Sequence, residues 1–247
     1  EVRGLSNKEI AIINLIIEKI GIEEFNNRKI AWNPYIGLFF PSKEGFDKDN
    51  QILMMSHLDL VHPFENAHKQ VETGKLASAL NIMEGDIDEN SIISGSLDNT
   101  MTNAILLNNL LKDKFDTNVN ALFETDEETG MSGTRHFFKE EKEDFWGNIF
   151  YDGNDFKLSK ANAPTIQKDL KVVNLDVTMG YKEPCAVETR GLNKDSSDQI
   201  LNKYKNLGHK EFGFDDSTAT VRPDLIAMSY CVNVGTKYED LNEKGER

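Results

Sequence analysis

The sequence predicts an α/β domain with three αβα layers around a mixed, largely parallel central sheet, and three observations carry that expectation. Short apolar runs alternate with amphipathic helical stretches along the 247 residues, the pattern of strands joined by crossover helices. No internal repeat, low-complexity tract or Pro/Gly/Ser-rich linker divides the chain, so residues 1–247 read as a single domain. Four apolar runs end on a histidine or a carboxylate, at the strand ends where open α/β sheets bind ligands.

The elements follow in order. Ser6-Asn7-Lys8-Glu9 ahead of Ile10, Ile12, Ile13, Leu15, Ile16, Ile17 and Ile20 reads as a capped amphipathic helix. Residues 36–40 and 52–55 are short apolar runs bounded by polar residues, hence strands. Residues 68–90 are polar, acidic and irregular, a surface excursion, and 91–94 form a further short strand. Apolar residues at helical spacing (Ala104, Leu106, Leu107, Leu110, Leu111) predict a helix over 99–111. A buried strand over 119–123 and a helix over 131–138 follow, then a charged run at 139–144 that reads as a solvated face. Strands over 170–175 and 186–188, a helix over 196–207 and a last strand over 226–234 complete the chain.

Composition narrows the function classes. With 42 Asp and Glu against 28 Lys and Arg, the net charge of −14 argues against nucleic acid and against an anionic membrane surface. Hydrophobic residues make up 38% of the chain, enough for a core, and no apolar run is long enough to span a bilayer. Two cysteines, Cys185 and Cys231, with no CxxC, fit a reduced cytoplasmic protein. No signal peptide is visible at the start, which is Glu1 rather than Met, so a removed leader stays open.

The chemistry lies at the strand ends. The run 51–56 leads into His57-Leu58-Asp59, and 92–97 leads into Asp98-Asn99. The run 120–123 leads into Glu124-Thr125-Asp126-Glu127-Glu128, and 172–175 ends on Asp176. These are the ligand types of Zn2+, Mn2+ or Co2+, and a shared cation would offset the repulsion of carboxylates converging in one cleft. The two-residue spacing puts His57 and Asp59 on one side of an extended segment, so His57 can bind metal while Asp59 orients it. Glu127 and Glu128 are adjacent and diverge, so one can ligate while the other acts as a general base. Taken alone, the acidic pair beside Glu124 and Asp126 also reads as a solvated turn.

Four segments, Ser56-His57-Leu58-Asp59, Gly95-Ser96-Leu97-Asp98-Asn99, Asp126-Glu127-Glu128-Thr129-Gly130-Met131-Ser132-Gly133 and Asn174-Leu175-Asp176, resemble the ordered motifs of the co-catalytic zinc exopeptidases. That clan includes the M28 aminopeptidases and the M20 and M42 metallopeptidases. The likeness is clear over residues 50–180. It implies that His57 and Asp176 bind one metal, that Asp98 bridges two, and that Glu128 binds the second. It further implies Glu127 as the general base and Asp59 as the support of His57. One or two Zn2+ ions, or Mn2+ or Co2+, are the implied cofactor, and a small peptide or aminoacyl compound the implied substrate. Oligomeric state and side-chain preference stay open.

The sequence departs from the clan near its end. The expected last ligand is a histidine, and the best match puts Asn242 there with Glu246 four residues on. An amide oxygen is a poorer Zn2+ ligand than imidazole. A catalytically impaired protein or a binding module on the same fold therefore stays open, as do N-acyl amino acid deacylation and carboxypeptidase action. The 65 residues between Asp176 and Asn242 are too few for the lid or dimerisation domain of M20 enzymes, so a lidless catalytic domain is expected. His62, five residues past His57, is a candidate substrate contact, and His209, which precedes a segment (215–218) resembling the clan's cleft-lining loop, is a candidate substrate contact or substitute for the missing ligand.

Overall fold

A computed structural model describes residues 4–59, 86–87, 92–93, 97–125, 127, 130–139, 145–178, 183, 185–203, 207–210 and 221–233. Its helices are α1 (Asn7–Ile20), α2 (Ile22–Asn27), α3 (Leu97–Leu111), α4 (Ser132–Phe137) and α5 (Lys194–Lys203). Its strands are β1 (Ala31–Asn33), β2 (Gly37–Phe40), β3 (Ile52–His57), β4 (Asp86–Ile87), β5 (Ile92–Ile93) and β6 (Val119–Glu124), followed by β7 (Trp146–Tyr151), β8 (Phe156–Ala161), β9 (Lys171–Thr178), β10 (Cys185–Arg190), β11 (Leu207–Lys210) and β12 (Ile226–Asn233). Among the described residues no helix is long and apolar enough to cross a membrane.

Ten strands form one sheet in the order β11-β10-β12-β9-β3-β6-β2-β1-β7-β8, and β4 pairs with β5 apart from it. The sheet is mixed, as expected, but it is not largely parallel: four of its pairings are parallel and five antiparallel. Parallel pairing holds for its central strands β12-β9-β3-β6 and for β10 with β11. The flank β6-β2-β1-β7-β8 is antiparallel throughout, and β10 also runs against β12. Short turns rather than crossover helices join β1 to β2 and β7 to β8, so these pairs can only return antiparallel.

Period-two alternation sends side chains of the central strands to two cores. Phe39, Leu53, Met55, Leu122, Val172 and Ala227 face one side with Phe137 of α4. Leu38, Phe40, Ala121, Phe123 and Leu175 face the other, with Ile13 and Ile16 of α1, Phe25 of α2 and Leu106 and Leu107 of α3. The helices thus cover both faces, which makes three layers. At the start of α1 the expected cap is a full capping box: Ser6 Oγ accepts from Glu9 N at 3.2 Å and Glu9 Oε2 accepts from Ser6 N at 2.5 Å. Glu9 is buried, and its other oxygen accepts from the Trp32 indole N–H at 3.0 Å, tying the cap to β1.

Several elements escaped the sequence reading. Helix α2 and strands β1, β4, β7, β8 and β11 have no counterpart in it, β4 falling within the stretch 68–90 expected to be irregular, and the helix expected over 196–207 ends at Lys203, with β11 taking its last residue. Most of the surface excursion and the charged run at 140–144 lie outside the described residues.

Strand β2 approaches β6 closely at Gly37. There φ is +120°, and an added Cβ would lie 2.1 Å from the Phe123 carbonyl oxygen. Gly37→Ala is therefore expected to destabilise the fold by about 2–4 kcal/mol, through left-handed backbone strain and a backbone clash. Urea denaturation measures this, and an unchanged midpoint would contradict the close approach.

Candidate functional site

Strands β9, β3 and β6 are adjacent and parallel, so their C-terminal ends come out along one edge of the sheet. His57 closes β3 and Glu124 closes β6, paired in register, while Asp176 follows Asn174, the partner of Met55. His57 shares the parity of Leu53 and Met55, Glu124 that of Leu122, and Asp176 that of Val172. All three therefore face the α4 side of the sheet. The signal was present in the sequence as apolar runs ending on ionisable residues; the strand order makes those ends neighbours.

His57 is 1% exposed and sits between two carboxylates. Its Nδ1 lies 3.4 Å from Asp59 Oδ1 and 3.3 Å from the Asp59 carbonyl oxygen, and its Nε2 lies 3.4 Å from Asp176 Oδ1. Two donors bound about 2.0–2.1 Å from one tetrahedral ion are about 3.3–3.4 Å apart, so Nε2 and the Asp176 carboxylate are spaced as ligands of a shared Zn2+. Asp59 on the opposite ring nitrogen would then hold the proton on Nδ1 and leave Nε2 free to ligate. The pair fits the implied metal by donor type and spacing. Among the described residues no group of three His, Cys, Asp or Glu side chains is gathered as a metal site. Beneath the pair, Asn174 is 1% exposed, and both polar atoms of its side chain lack a hydrogen-bond partner among the described residues. Such an amide marks polar ground under the site rather than closed apolar core.

Neighbouring elements hold the His57-Leu58-Asp59 turn in place. Asn103 of α3 donates to the His57 carbonyl at 2.7 Å, and Asn99 donates to the Leu175 carbonyl at 2.7 Å. Ser56 and Thr102 pair through their hydroxyls at 3.2 Å. These bonds dock the first turns of α3, which include Asp98, against the ends of both β3 and β9. The Leu58 N–H donates to the Glu124 carbonyl at 2.8 Å, and the Lys8 ammonium of α1 donates to the Leu58 carbonyl. Burial pushes the Lys8 ammonium below its ordinary range, while the nearby charge of Asp59 pulls it back up.

Glu127 is 8% exposed and Glu124 fully buried, so neither of these two acids is the solvated surface that composition allowed. The Glu127 carbonyl accepts from the N–H groups of Gly130 and Met131, both at 3.1 Å. The chain then passes through positive φ at Gly130 (121°) and Met131 (59°) before entering α4. Glu124 accepts a hydrogen bond from the Thr134 hydroxyl of α4. His57, Asp59 and Asp176 are thus brought together, with Glu127 in the segment that follows β6. His209 stands apart on the edge strand β11, three strands from β9, with Nε2 3.1 Å from Thr189 Oγ1. The side chains of Asp98 and Glu128, together with His62 and Asn242, lie outside the described residues.

Sequence reasoning missed Lys8, Asn103, Glu124 and Asn174 as parts of this surround. For Glu124 and Asn174 the signal was their even spacing from Leu122 and Asp176, which fixes the face. For Lys8 and Asn103 no signal exists in sequence, because their partners are 50 and 46 residues away.

Comparison with known proteins gives two findings. The sequence model of Peptidase family M28 matches residues 40–229. A solved structure described as the 3-D structure of PhTET1-12s, a dodecamer in the asymmetric unit, shares 12% identity with a TM-score of 0.46, over 94% of this chain and 88% of that one. No curated protein matches the sequence.

If Asp59 steadies His57, Asp59→Ala should weaken zinc binding about 10–100-fold without abolishing it, the usual effect of losing the partner of a metal-binding histidine. Competition with a chromophoric chelator measures this, and unchanged affinity would remove Asp59 from the role.

Proposed function

The chain belongs to peptidase family M28, and from that premise we propose that it is a zinc-dependent exopeptidase of the aminopeptidase type, with Glu127 as general base. The observation that carries the reading is the bracketing of His57, with Asp59 at Nδ1 and Asp176 at Nε2, each at 3.4 Å. His57 and Asp176 would hold one ion; Asp98 as a bridge, with Glu128 and Asn242, would complete the set for a second. Bound zinc supplies Lewis acidity, polarising the scissile carbonyl and lowering the pKa of a water toward about 7.

The chain's own residues do the rest. The Glu127 carboxylate takes the water's proton and returns it to the leaving amine, one group serving both proton transfers. Its low exposure limits competition from bulk water. Asp59 keeps the His57 tautomer and ring orientation constant through the cycle. Asn103 fixes the strand exit from which both side chains project. Small peptides or aminoacyl compounds are the proposed substrates; N-acyl amino acid deacylation and carboxypeptidase action would use the same residues. His62 is proposed to contact substrate from its place five residues beyond His57. For His209 the same role requires substrate to reach the sheet edge at β11. The two cysteines, on β10 and β12, are not joined in a disulfide and fit a cytoplasmic setting.

A second reading, a fold-retaining protein of impaired activity, is favoured by the best match to the clan's last histidine falling on Asn242. Metal stoichiometry separates the two. Two ions per chain and turnover of aminoacyl substrates support the enzyme; one ion or none, without turnover, supports the second reading.

A general base contributes about 10²–10⁴-fold, so Glu127→Gln is expected to lower kcat by at least about 10² while the protein keeps its zinc. Turnover on an aminoacyl panel, with elemental analysis of the same preparation, checks this. Unaltered turnover would remove Glu127 from the mechanism.

A further inference from the structure

We infer that Glu124 is a positioning residue that couples the His57–Asp176 pair to Glu127, acting through Thr134; its activity arm rests on the peptidase reading above. Glu124 ends β6 as the register partner of His57, and its carbonyl accepts from Leu58 N at 2.8 Å, which fixes the chain as it leaves β3. Its side chain turns to the face shared with His57 and Asp176, is fully buried, and accepts from the Thr134 hydroxyl ten residues on. One residue therefore holds the histidine's strand with its main chain and the following helix with its carboxylate.

The segment between Glu124 and Thr134 carries Glu127. Its base is closed by further contacts. Thr125 N donates to the Ile36 carbonyl at 3.0 Å, and a Cβ added at Gly133 would lie 2.5 Å from the Thr125 carbonyl oxygen. Thr134 and Gly133 are both buried, so α4 is pressed onto the strand end at this point. Both ends of the segment are thus tied to β6, and Glu127, 8% exposed, lies within it three residues past Glu124. A general base misplaced by about 1 Å can lose about 10² in rate. A hydrogen bond closing the base of its loop therefore bears directly on turnover.

Thr134→Val tests this, because it keeps shape and charge and removes the hydroxyl alone. Thr134→Ser keeps the hydroxyl, and Glu124→Gln keeps an acceptor oxygen. At saturating zinc, Thr134→Val should lower kcat about tenfold with KM within about twofold, and Thr134→Ser should restore it. Glu124→Gln should retain more activity than Thr134→Val. A purely structural bond would lower the melting temperature without this split of kcat from KM. Wild-type kcat in Thr134→Val, or a loss that Ser does not restore, overturns the inference and leaves the peptidase reading intact. If the wild-type chain does not cleave peptides, that reading fails and zinc affinity by chelator competition decides instead. Affinity about tenfold weaker in Thr134→Val and restored in Thr134→Ser supports the coupling, because Glu128 lies in the same segment; unchanged affinity overturns it. A wild-type chain that neither cleaves nor binds zinc overturns both.

Discussion

The placement of His57 at the end of a buried parallel strand is the constraint on which the rest of the site depends. Strand β3 has β9 on one side and β6 on the other, and its side chains enter a core on each face. An imidazole there has little access to water, so both ring nitrogens need partners within the protein. The Asp59 carbonyl oxygen, near in sequence, partners one at 3.3 Å, with the Asp59 carboxylate 3.4 Å away; the Asp176 carboxylate of the neighbouring strand lies 3.4 Å from the other. The main chain around the ring is held as firmly, with Asn103, Glu124 and Lys8 bonding in turn to the His57 carbonyl, the Leu58 N–H and the Leu58 carbonyl. Three separate elements thus converge on one tripeptide, which is what a ligand held to within a fraction of an ångström requires.

Electrostatics gives that arrangement its direction. Asp176, Glu124 and Glu127 are all buried or nearly so, and Asp59 lies 3.4 Å from the His57 ring. Burying carboxylates is unfavourable unless cations or hydrogen-bond donors hold their charge. Thr134 supplies a donor for Glu124, and Lys8 brings a cation from α1 at the cost of its own desolvation. A divalent ion between His57 and Asp176 would offset more of that charge. Among the described residues the acids thus include both exposed surface groups and a few buried carboxylates at the strand ends.

The antiparallel flank shows a different use of the same sheet. Strands β2, β1, β7 and β8 add no residue to the candidate site, yet β2 sets the site's floor. Gly37 lets it press against β6 at Glu124, and the Ile36 carbonyl takes the Thr125 N–H. Helix α1 acts at similar remove. Its capping Glu9 is anchored on Trp32 of β1, which fixes the helix start from which Lys8 reaches the His57 turn.

The central strands were legible in sequence because each is a short apolar run stopped by an ionisable residue, and that pattern is local. His57, Asp59, Glu127 and Asp176 could be singled out for the same reason. Of the flank, β2 was legible as the apolar run 36–40, while β1, β7 and β8 were not. Ala31–Asn33 is too short to show a period, and Phe156–Ala161 is a largely exposed edge strand whose alternation is confined to Phe156 and Leu158. Glu124 read as part of an acidic turn, since sequence carries its charge but not its burial. By itself, then, the sequence determined which residue types end which strands, and hence the chemistry on offer. Only the tertiary structure decided that β9, β3 and β6 lie side by side. Strand order is set by pairing between residues 67 positions apart for β3 with β6 and 119 apart for β3 with β9, and no local preference encodes it. That order alone puts the Asp176 carboxylate 3.4 Å from an imidazole 119 residues earlier in the chain.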